Sequence, residues 1–98
     1  MPDDPFVQLR TALEAGRADG RLGPHGDALL AALSSGQQAL AAGDTKTAVQ
    51  NFTTMQQMLL AGTHDGTIDA GVMIETMKRV QSLATSRGLT LPLSIQFV

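Results

Sequence analysis

"LEAGRADGRL" at residues 13–22 returns, little changed, as "LLAGTHDGTI" at residues 59–68. At one constant offset Leu13, Ala15, Gly16, Asp19 and Gly20 meet Leu59, Ala61, Gly62, Asp65 and Gly66, and Leu22 meets Ile68. The match extends upstream, with Phe6 over Phe52 and Leu9 over Met55. The repeated unit is therefore a helix, the turn A-G-x-x-D-G-x-(Leu/Ile), and a second helix. Gly16 and Gly62 are predicted to take the left-handed conformation that ends a helix. Asp19–Gly20 and Asp65–Gly66 suit a second reversal. Leu22 and Ile68 are expected to plug each turn back into a core.

Hydrophobic spacing places the helices. Asp4 is a good N-cap with Pro5 at the first helical position, and Phe6, Leu9 and Leu13 then share a face. Gly23–Pro24 is predicted to start a second helix the same way, with Leu29, Leu33 and Leu40 on one side and Gly43 at its end. Asp44 caps a third, in which Ala48, Phe52, Met55 and Leu59 follow i, i+4, i+7, i+11. A fourth is predicted from near Thr67, carrying Met73, Met77, Val80 and Ala84, and stopping at Gly88. The fold class expected is all-α: a four-helix domain over residues 1–88, built as two antiparallel hairpins at about 4–42 and 44–88.

Composition agrees with that class and narrows function. The apolar 43% is largely Ala, Leu and Met, with three Phe, no Trp and no Tyr. Small aliphatic residues suit closely packed helices, and Ala and Leu lead the helix-propensity scale. A net charge of −2, with neither sign clustered, lacks the basic footprint of a nucleic-acid binder. No apolar run is long enough to span a membrane. The acidic start "MPDDPFVQL" lacks the charged and apolar regions of a secretion signal, which leans towards the cytoplasm. Without cysteine there is no disulfide or thiolate chemistry.

The turn "DGTID" also reads as the second half of a calcium loop. Asp65, Gly66, Ile68 and Asp69 would then fall at positions 5, 6, 8 and 9 of that loop. Positions 1, 3 and 12 would be Ala61, Thr63 and Val72, so three necessary ligands are missing. The first copy is poorer, with Ala15, Arg17 and Gly26 there. The turn reads as geometry, and no cofactor is expected. His25 and His64 each sit in a turn near an acid, Asp27 and Asp65. They carry the rival reading, a small metal-binding protein or minor enzyme. Met55, Met58, Met73 and Met77 fit core filling better than an adaptable groove. Gly36, Gly43, Ala48 and Phe52 have tetratricopeptide spacing, but only one copy fits, where such repeats need about three.

Two family resemblances fall on these residues. Asp3–Asp4, Leu9, Leu13, "GRLGP", "ALAAGDTKTA" and Lys78–Arg79 resemble, in order, the helical domain shared by the C-terminus of the COPII outer-coat scaffold and steroid receptor RNA activator. The chain departs from that pattern in lacking the Trp before the K-R pair. Residues 29–59 are similar to the "L-L-x-x-L…A-L-x-x-G-D-x-x-x-A" core of the FIMAH helical domain. Either resemblance implies a non-catalytic interaction or accessory module.

Residues 89–98, "LTLPLSIQFV", break the helical pattern. Leu89, Leu91, Leu93, Ile95 and Phe97 alternate with polar residues and Pro92, which is strand periodicity with one apolar face. A lone extended segment cannot satisfy its own backbone. These five residues are the candidate partner-binding set, for another protein or for a second copy in a homodimer, unless the arm covers the bundle itself. If the two repeat turns are left-handed at Gly16 and Gly62, then Gly16→Ala and Gly62→Ala should destabilise by similar amounts in urea melts, on the order of 1 kcal/mol.

Overall fold

A computed structural model describes residues 4–91. Within them the chain is all-α: α1 (Pro5–Ala18), a 3-10 turn (Gly23–His25), α2 (Gly26–Ala41), α3 (Thr45–Asp65) and α4 (Ala70–Ser86). No strand occurs among the described residues.

Short polar side chains start three of the helices. Asp4 accepts the Phe6 backbone N–H at 2.9 Å, with Pro5 in the first turn. Asp44 takes both the backbone N–H and the hydroxyl of Thr47, at 3.1 and 2.6 Å. Asp69 takes the N–H groups of Gly71 and Val72. Each satisfies donors that a helix start leaves unpaired. The remaining start differs from the expectation at Gly23–Pro24. Leu22 and Gly20 carbonyls hold Pro24's neighbourhood in a 3-10 turn, and α2 begins only at Gly26. Gly23 has φ +56° and backs onto Thr67, where a Cβ would lie 2.9 Å from the Thr67 carbonyl, so the two repeat turns touch. The fourth helix likewise starts at Ala70, later than expected, because Asp69 is the residue that caps it.

All four helices stop the same way. The backbone N–H of Arg21 reaches back to Gly16, Asp44 to Ala39, Thr67 to Gly62 and Leu89 to Ala84, at 2.8–2.9 Å. A bond spanning fewer residues nests inside each, at 3.1–3.4 Å, from the N–H of Gly20 to Arg17, Gly43 to Leu40, Gly66 to Thr63 and Gly88 to Thr85. This paired pattern closes a helix through one left-handed residue. In the repeat that residue is Gly20 (φ 74°) and Gly66 (φ 84°), not Gly16 or Gly62. Gly16 and Gly62 lie inside α1 and α3, and are buried for another reason. A Cβ on Gly16 would stand 3.0 Å from Leu22 Cγ, and one on Gly62 would overlap Ile68. The plugs are as expected, Leu22 being 1% and Ile68 2% exposed. The glycines are what they plug onto.

The helices close a ring in which each packs on the next and α4 returns to α1. The most extensive seam joins α2 to α3. Gly36 makes it close, since a Cβ there would sit 2.7 Å from the Phe52 ring. That contact accounts for the single tetratricopeptide-like match. The inward face holds Leu9, Leu13, Leu29, Leu33, Ala48, Phe52, Met55, Leu59, Met77 and Val80, all fully buried. Leu40 and Met73 are half-buried against it. Phe6 meets Phe52 at 6.2 Å between ring centroids, and the Arg87 guanidinium lies 5.1 Å over the Phe6 ring. The start of α1 and the end of α4 therefore share one corner, where Arg87 also reaches Asp4 at 3.7 Å.

Two classes of glycine give separable outcomes. Gly20→Ala and Gly66→Ala meet open space but hold alanine in the left-handed conformation, so each should cost on the order of 1 kcal/mol. Gly62→Ala must displace a buried isoleucine and should cost more, about 1–3 kcal/mol, with Gly16→Ala between. Urea melts of the four variants check the order. Equal losses at Gly62 and Gly66 would contradict the plugging role.

Candidate functional site

The polar residues of the repeat turns collect at one end of the ring. Asp65 accepts the backbone N–H of Thr67 at 3.0 Å and its hydroxyl at 2.6 Å. Asp69 is engaged with the start of α4. Both carboxylates of "DGTID" thus bind their own loop. Asp27, expected beside His25, instead pairs with Arg17 across from the end of α1. Asp19 lies 3.6 Å from Arg21.

His25 and His64 both lie near enough to Asp65 to act on its charge. His25 is half-buried and lies against Gly62, with its Nε2 buried and unpartnered among the described residues. His64 is exposed in the last turn of α3. Thr67's hydroxyl, then its N–H, hold Asp65 below the usual carboxylate range, and the positive potential of His25 and His64 adds to this. Among the described residues no group of three or more His, Asp or Glu is arranged to hold a metal ion.

The methionines do not form a groove. Met55 and Met77 are fully buried, and Met58 and Met73 pack half-buried against the core. Of the arm, Leu89 and Leu91 rest half-buried on the core with Thr90 exposed between them. The alternation read from the sequence is therefore in register where it begins. Leu93, Ile95 and Phe97 lie outside the described residues.

One surface escaped the sequence reading. α1 and α4 leave a shallow groove whose floor is Ala12, Ala15 and Gly16 from α1 with Val72 and Thr76 from α4. Asp19, Arg21, Asp69, Glu75 and Arg79 rim it. Arg79 and Glu75 pair along α4 at 3.6 Å. Val7 continues the floor towards the start of α1 and is 55% exposed, the most exposed large apolar residue described. Side chains this small cannot fill the space between two helices, so the seam stays open. The signal was present at i, i+3 and i+4 in Ala12, Ala15 and Gly16, but a small-residue stripe reads the same whether a neighbour covers it or not.

No family model, no curated protein and no solved structure matches the chain.

The caps set an acid dependence. Asp65 and Asp44 both sit below the usual carboxylate range because a threonine hydroxyl and N–H stabilise the charged form. A depressed folded-state pKa contributes stability above the unfolded carboxylate range and loses it as pH falls through the folded value. Thr67→Val should therefore be less stable than wild type near neutrality, and the gap should narrow as pH drops below that range. Urea midpoints measured from pH 7 to pH 2 test the sign.

Proposed function

We propose that this chain is a non-catalytic helical interaction module that binds another protein through the α1–α4 face. The open groove carries this reading: its floor is small and apolar, its rim is charged of both signs, and Val7 stands exposed beside it. An apolar centre with a polar rim is how protein interfaces are commonly organised. The two family resemblances support the same class. The acids nearest the histidines are engaged elsewhere, Asp27 with Arg17 and Asp65 with Thr67, which weighs against catalysis at that end. Leu89 and Leu91 already lie on the domain's own core, so the groove is favoured over the arm as the partner surface.

A photo-crosslinking residue at Val7 is expected to capture a specific protein from the native lysate, and one at exposed Ser34 on α2 is not. Equal labelling from both sites would remove the groove from consideration. The rival metal-binding reading through His25 and His64 is tested by thermal melts with and without Ca²⁺ or Zn²⁺. A ligand at 100 times its Kd stabilises by ~2.7 kcal/mol, a shift this reading does not expect.

A further inference from the structure

The α1–α4 groove is charged differently at its two ends. Beside the last turn of α1 and the first of α4 stand two acids, Asp19 and Asp69, with one base, Arg21. Towards the start of α1 it is bordered by two bases, Lys78 and Arg79, with one acid, Glu75. One end is net acidic and the other net basic. Glu75 pairs with Lys78 at 3.9 Å and with Arg79 at 3.6 Å, all three side chains being solvent-exposed. Exposed pairs of this kind contribute little, so their members can take new partners at small cost.

A groove acidic at one end and basic at the other complements a copy of itself turned end for end. A twofold dimer has that form, since residue i meets j and j meets i. Glu75 and Arg79 lie one turn apart on α4, and an axis between them sets each Arg79 across from the partner's Glu75. Arg79 and Thr11 line the same stretch of the groove, so this axis passes near Thr11. Val7 and Ala15 stand on either side of Thr11 at helical spacing, all three exposed on one face of α1. The axis therefore lays Val7 over the partner's Ala15, where the small floor leaves room. Charge and shape ask for the same operation.

We propose, on the reading that the groove is the partner surface, that its occupant is a second copy of this chain, packed antiparallel about a twofold axis near Thr11. α1 is ~21 Å long and two adjacent helices span ~20 Å, a face at the small end of specific interfaces. The dimer should accordingly dissociate on dilution through the micromolar range.

Sedimentation of the intact chain should show a monomer–dimer equilibrium across roughly 1–500 μM. Glu75→Lys and Arg79→Glu, each alone, gather like charges at the axis and should weaken association about tenfold or more. Their equal mixture restores both opposite-charge pairs and should associate at close to wild-type strength, as heterodimers in native mass spectrometry. Thermal melts of each variant at a dilution where wild type is monomeric should match wild type, which separates lost association from lost folding. A wild-type chain that stays monomeric throughout, single variants that dimerise undiminished, or a mixture that does not recover each overturn the second copy. A monomeric chain whose Val7 crosslinker still captures another protein would overturn the second copy alone and leave the groove as the partner surface. A monomeric chain whose Val7 crosslinker captures nothing would remove both.

Discussion

Phe52 holds the ring together. Its ring sits against Gly36 of α2 and Phe6 of α1, and Phe6 in turn lies under Arg87 at the end of α4. One side chain of α3 thus reaches two other helices directly and the last through a single contact. A chain with three aromatic residues has little choice about where to place them. The closeness depends on absence: α2 has no side chain at Gly36, so the aromatic edge packs on backbone. Aromatic rings contribute large buried areas, and the remaining apolar positions are filled by smaller residues that follow this spacing.

The other end of the ring is organised by the repeat. Gly16 and Gly62 receive Leu22 and Ile68, and the two turns meet where Gly23 backs onto Thr67. The acids there cap or pair within the turns. That arrangement explains why residues with catalytic potential do not add up to chemistry. The Asp65 carboxylate is held by the hydroxyl and N–H of Thr67, and His25 is packed against a helix end.

How much was legible follows from the range of each signal. Helix faces and starts such as Asp4 and Asp44 depend on neighbours a few residues away, and the core drawn from Phe6, Leu13, Phe52, Met55 and Val80 is the one that is buried. Gly16 and Gly62 were misread because a glycine serving a close approach looks the same as one serving a left-handed turn, and Gly20 and Gly66 stood four residues on. The start of α4 was misplaced because "DGTID" offers two carboxylates, each binding its own threonine or helix start. The packing of His25 on Gly62, and the gap between α1 and α4, depend on how elements meet in space. No local pattern encodes either.

The uniform helix stops also bear on how the chain acquires its structure. Each stop is formed within six residues, and each connection between helices is short. Successive helices can therefore find one another before distant parts of the chain have met. Only the closure of α4 onto α1, through Arg87 and Phe6, spans the whole domain. Search time grows with the separation of contacting residues, and helical domains dominated by near-neighbour contacts fold in microseconds to milliseconds. The order this suggests is assembly from α2 and α3 outward, with the Phe6–Arg87 corner sealed last.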